Sequence, residues 1–95
     1  MIDLNEQSEE GLFHYEEWIK NIKRKYKYGK EKNFNIGDKV NYFIHMYNAS
    51  TNRLHAYELE CLVTNKNDNY YDIKTTEQES LIYLGIIYKN LRKCI

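Results

Sequence analysis

Three histidines, two cysteines and two neighbouring glutamates are the residues of this chain whose types could carry chemistry. His14, His45 and His55 stand apart, on an expected helix, strand and loop edge. No Ser or Cys falls where one of them would serve it as a base, and no glycine-rich phosphate loop is present. Cys61 and Cys94 form no CxxC pair and have no histidine cluster beside them, so zinc-ligand spacing is missing. Two free, buried thiols are the simpler expectation. Glu58 and Glu60 lie two residues apart, on one face of an expected strand, as a general acid–base pair would. That face is polar, and both carboxylates are expected to point to water. The residues therefore suggest a binding module, with no reaction, cofactor or metal of its own.

Binding chemistry rests on tyrosines and lysines. The ten tyrosines accompany many Asn, Lys and Ile residues, the mix that AT-rich codons specify, so their number is weak evidence for a binding surface. Tyr15, Tyr26, Tyr42, Tyr57 and Tyr71 fall on apolar faces and are expected in the core. Tyr47, Tyr70, Tyr83 and Tyr88 have less obvious burial and could form a stacking surface. Lys20, Lys23, Arg24, Lys25 and Lys27 form a basic run that follows an acidic one. Lys20, Lys23, Arg24 and Lys27 are the candidates for touching nucleic-acid phosphate. Dipole complementation at a helix C-terminus explains the same residues without a ligand. Fourteen basic and fourteen acidic residues cancel, which argues against sequence-independent coating of a duplex.

The elements that position these residues are legible from periodicity. Met1 to Gln7 are polar and expected to be loose. Ser8 offers an N-cap, and Leu12, Tyr15, Ile19, Ile22 and Tyr26 recur at helical spacing, with Phe13 and Trp18 widening the face. The pattern predicts a helix from Glu9 to Tyr28, stopped by Gly29. After a polar linker, Gly37 and Asp38 set a tight turn. Val40, Tyr42, Ile44 and Met46 then alternate with Asn41, Phe43, His45 and Tyr47. Leu54 to Val63 is a second strand and Tyr70 to Thr75 a third, joined by the polar turn 65–69. Leu81 to Tyr88 is a fourth, bent at Gly85. Lys89 and Asn90 suit a 3₁₀ turn before a short closing strand, Leu91 to Ile95. The order predicts a mainly β fold: a small five-stranded SH3-like barrel over residues 34–95, preceded by one N-terminal helix. Residues 1–33 would be a tail and an amphipathic helix packed on the barrel. With 95 residues this is one domain. No apolar run is long enough to span a membrane and no signal peptide opens the chain, so an intracellular monomer is expected.

Phe34-x-x-Gly-Asp-Lys-Val-x-x-Phe43, then Tyr57-Glu-Leu-Glu-Cys61, Asn69-Tyr-Tyr-Asp-Ile73 and Asn90-Leu-Arg-Lys93 together resemble the chromo-barrel and Tudor-type domains. These read histone tails in MRG-type chromatin proteins and MYST-type acetyltransferases. The resemblance covers about two-thirds of the chain. It implies a nuclear reader of a histone tail or similar peptide, or a domain of a larger enzyme such as a histone acetyltransferase. It also implies an aromatic cage that holds methyl-lysine by cation–π contact. His45 or Tyr47 falls at the first-strand cage position and Tyr57 at the second. The third falls near Lys74 and Thr75. The tryptophan position falls near Leu84 and Gly85, with Tyr83 close by, and Tyr70 is a further exposed ring. Two other readings remain open. One is a barrel that binds DNA or RNA. The other is a phage or bacterial protein that blocks a host partner through its helix, with Trp18 at the contact.

Overall fold

The chain is described here from a computed structural model, which covers residues 2–7, 15–50 and 53–94. Helix α1 spans Tyr15–Lys25, with Glu16 and Glu17 in its first turn and Lys23, Arg24 and Lys25 in its last. The expected N-cap and first turns, residues 8–14, lie outside the described residues. The helix stops earlier than the sequence suggests, and not at Gly29. Lys27 takes φ +63°. The Tyr28 amide donates to the Lys23 carbonyl (2.8 Å) and the Lys27 amide to the Arg24 carbonyl (3.3 Å). This is a Schellman motif with lysine in the left-handed position usually given to glycine. It turns Tyr28 inward beside Ile22. Gly29 has a different task. At φ +77° it takes a left-handed conformation that a side chain would strain, while its amide donates to the Leu91 carbonyl (3.3 Å).

Residues 2–7, expected to be loose, form a strand. β1 (Ile2–Gln7) pairs antiparallel with the first half of β3, from Ile2↔Glu58 to Gln7↔Leu54. The other strands are β2 (Lys39–Asn48), β3 (Arg53–Asn67), β4 (Tyr70–Thr75), β5 (Ile82–Ile87) and β6 (Leu91–Lys93). β3 is longer than its alternation suggests, and the polar turn after it shrinks to Asp68 and Asn69, with Asp68 at φ +52°. The third strand, the 3₁₀ turn (Tyr88–Asn90) and the short last strand fall where the sequence puts them. Gly85, at φ +64°, sits by a register shift between β4 and β5. Its amide is held by Asp72 Oδ1 (3.0 Å).

The main path of the sheet runs β5-β4-β3-β2-β6, with β1 beside β3. The path is open. β5 and β6 end it without pairing to each other, so closure into a barrel is not what holds the sheet. It is nevertheless curled. β5 and β2 are three strand spacings apart, roughly 14 Å in a flat sheet, yet Tyr83 meets Tyr42 edge to face with centroids 5.0 Å apart.

Each face of the sheet has its own core. On the inner face, Val40, Leu59, Cys61, Val63, Tyr71, Ile73 and Leu91 pack with Phe34. Phe34 is fixed as well as buried. Its ring meets Tyr71 edge-on at 5.3 Å, and its amide donates to Tyr71 Oη (3.0 Å). Tyr71 Oη in turn donates to the Lys32 carbonyl (2.8 Å). On the outer face, Phe43 and Ala56 take Trp18, Ile22 and Tyr28 from the helix side. The helix therefore lies against the sheet, across β2 and β3.

Candidate functional site

The outer core contains a carboxylate. Glu58 lies directly opposite Phe43 and is only 4% exposed. The expectation that Glu58 and Glu60 share a solvated face is overturned: α1 and its following turn cover one end of that face. Glu60 remains exposed, where its carboxylate accepts from Thr76 Oγ1 (3.1 Å). The two carboxylates form no acid–base pair. Glu58 is instead locked in place. Arg92 Nη2 donates to both its oxygens (2.9 and 2.8 Å) and Nε to one (3.2 Å). The Tyr28 hydroxyl donates to Oε2. Arg92 Nη1 donates to the Tyr26 carbonyl (2.9 Å). The guanidinium also lies 5.2 Å from the Tyr28 centroid and 5.7 Å from that of Tyr26. Burial, then the hydrogen bond and charge of Glu58, push the Tyr28 phenol well above its ordinary range. Burial opposes the charge on Arg92, but the hydrogen bonds and charge of Glu58 outweigh it and raise its pKa. The cluster ties the turn after α1 to β3 and β6.

Above Arg92 a groove of about 280 Å³ opens to the surface, lined by Tyr26, Lys27, Lys30, Glu31, Arg92 and Lys93. Its positions are set by three things: the Schellman turn that throws Lys27 outward, the extended stretch that follows Gly29, and the closing strand. Four cations stand against two carboxylates, Glu31 in the lining and Glu58 beneath Arg92. Lys93 Nζ approaches Glu31 at 3.6 Å, with both side chains about half exposed, a contact of little strength in water. Lys27 and Lys30 are exposed. An anion entering here would meet exposed ammonium groups around a guanidinium held by Glu58 and the Tyr26 carbonyl.

Among the basic residues singled out by sequence, the structure brings only Lys27 into this groove. Lys20 and Arg24 are exposed on α1. Lys23 is half-buried, donates to Asn90 Oδ1 (2.5 Å) and lies 5.4 Å from the Phe43 centroid. Burial and the nearby Lys89 lower its pKa. Lys30, Arg92 and Lys93 were missed as a group. Their signal was the continuation of the basic run through Lys30 and the two cations of the last strand, but no spacing rule joins positions sixty residues apart.

The aromatic candidates are divided between the two faces of the sheet. His45 and Tyr47 share the outer face of β2, with His45 centred 5.8 Å from Phe43. Burial and Lys23 lower the His45 pKa. Tyr57 opposes Ile44 on the inner face, its hydroxyl 3.4 Å from the Met46 sulfur. Tyr83 is also inner, against Tyr42. Tyr70 opposes Asn67 and Tyr47 opposes Leu54. These positions are thirteen residues apart along β3, or roughly 40 Å if it were straight. His14 lies outside the described residues. Trp18 is buried against the sheet, so it is not an exposed contact for a partner.

Both cysteines are free, Cys61 buried and Cys94 half-buried. Burial, then Cys94, Glu60 and Glu77, push the Cys61 thiol up to about 12. Its thiolate fraction at pH 8 is then on the order of 10⁻⁴. Native protein at that pH should leave Cys61 unmodified by iodoacetamide, and denaturant should expose it. Mass spectrometry of the digested protein reads the difference.

No family model, curated protein or solved structure matches this chain.

Proposed function

We propose that this chain is a non-catalytic binding module of open SH3-like type that grips the backbone of single-stranded nucleic acid in the groove of Lys27, Lys30, Arg92 and Lys93. The strand order and the 3₁₀ turn before the last strand support the SH3-like reading. The observation that carries the ligand reading is the continuity of charge: the basic end of α1 runs into a groove floored by the anchored Arg92. Lys20 and Arg24 add exposed charge on α1 outside the groove. Cations on one groove, in a chain of zero net charge, suit a single strand better than a duplex, which needs a wider basic footprint. The peptide-tail reading has less support, since a methyl-lysine cage needs its rings at one mouth.

Fluorescence anisotropy with labelled oligo-dT and oligo-U tests this. If Lys27, Lys30 and Lys93 each neutralise one phosphate, the log–log salt slope is about −2, so affinity should fall roughly fifteenfold between 50 and 200 mM salt. K27E/K30E/K93E should abolish binding at low salt. No binding at low salt, or binding indifferent to the triple reversal, overturns the proposal. Preference for a methylated histone-tail peptide would restore the peptide reading.

A further inference from the structure

The outer edge of β5 is open. Among the described residues no strand lies beyond it. Proteins guard such edges with charge, proline or a covering element. Leu81 to Tyr88 reads Leu-Ile-Tyr-Leu-Gly-Ile-Ile-Tyr, with no charge and no proline. Ile82 is 68% exposed and Leu84 72%. The opposite edge differs: β6 is three residues long and carries Arg92 and Lys93.

The hydrogen-bond phase of this edge can be read. The Thr75 amide donates to the Leu81 carbonyl (2.9 Å), and the Leu81 amide to Thr75 Oγ1 (2.9 Å). Leu81 therefore points its polar backbone at β4. Antiparallel ladders alternate, and Lys74 opposes Ile82 while Ile73 opposes Tyr83. The Gly85 amide also turns to β4, donating to Asp72 Oδ1 (3.0 Å), so by alternation Ile82 and Leu84 present their N–H and C=O groups to the open side. Their side chains stand on the outer face with exposed Lys74.

We propose that two copies of this chain pair through the outer edge of β5, antiparallel about a two-fold axis at Tyr83. In that register Ile82 of each copy faces Leu84 of the other. Both are outward-directed, so the pair forms four backbone hydrogen bonds with no shift of either strand. The same register sets the Ile82 and Leu84 side chains of the two copies into one aliphatic cluster. An edge with no charge meets its own copy without repulsion. A charged foreign strand would find no complementary group on it. The arrangement departs from the monomer suggested by the sequence, because nothing in a single strand's alternation says which edge of a sheet it will occupy.

Sedimentation equilibrium from about 10 μM to about 1 mM should show reversible dimerisation. Ile82→Lys and Leu84→Lys should each weaken it by about tenfold or more, through loss of buried aliphatic surface. Ile36→Lys, which replaces an equally exposed side chain in the turn before β2, should leave it unchanged. Circular dichroism should show all three folded. In the unmodified protein, the Ile82 and Leu84 amides should gain hydrogen-exchange protection as concentration rises. A monomer throughout the range overturns the proposal and leaves the edge to a foreign strand. A dimer insensitive to both β5 substitutions overturns it too.

Discussion

Arg92→Leu is expected to destabilise the chain by about 3–5 kcal/mol, the cost of stranding a buried carboxylate without its partner. Glu58 cannot turn to water: it is fixed on β3 beneath α1 and the Tyr28 turn. The substitution also removes the donor to the Tyr26 carbonyl and the cation between Tyr26 and Tyr28. For a domain this small, that is a large part of the whole stability. Urea denaturation followed by tryptophan fluorescence reads it directly, because Trp18 sits in the same outer core. A second variant separates the buried charge from general damage. Replacing Glu58 and Arg92 with Leu and Tyr28 with Phe removes every polar side chain of the network and leaves only the Tyr26 carbonyl without its donor. It should recover most of the lost stability, since an ion pair gains little over well-packed apolar groups. If the triple variant is no more stable than Arg92→Leu, the stranded carboxylate is not the cause.

Phe34→Ala should cost about as much, roughly 3–5 kcal/mol, from lost transfer free energy and the cavity left behind. Phe34 is fully buried at the centre of the inner core. It comes from a stretch with no regular secondary structure, which the Tyr71 hydroxyl holds at the Phe34 amide and the Lys32 carbonyl, so the backbone cannot simply follow the shortened side chain inward. Tyr71→Phe probes the polar half of the same joint. It leaves the Phe34 amide and the Lys32 carbonyl without their side-chain partner and should cost about 1–3 kcal/mol. Chemical denaturation of both variants checks the ordering, with Phe34→Ala the less stable. The reverse ordering would mean the hydrogen bonds, and not the ring, hold residues 30–38 to the sheet.

Much of the fold was legible because alternation is a local property. Tyr71 and Ile73 point inward, and Asp72 and Lys74 do not, as their sequence implies. β1 carried a faint signal of the same kind, with Ile2 and Leu4 separated by polar residues. Its pairing depends on β4 being short, which leaves the first half of one edge of β3 free for β1. Glu58 misled for a related reason. Alternation says which residues share a face, but not whether that face meets water or a helix. The candidate site was less legible still. Lys27, Lys30, Arg92 and Lys93 meet only because β6 returns to pair with β2 beside the end of α1.

Local patterning was enough for the order of elements from α1 onward, the two-residue sidedness of β2 to β4, the glycine-marked irregularity in β5 and the turn into β6. These follow from backbone sterics and from side chains a few positions apart. Long-range packing set the rest: the pairing of β1 with β3, the sheet face the helix covers, the carboxylate buried there, the open curl of the sheet and the place of the basic groove. Those depend on contacts between distant segments, whose free energy no local pattern contains.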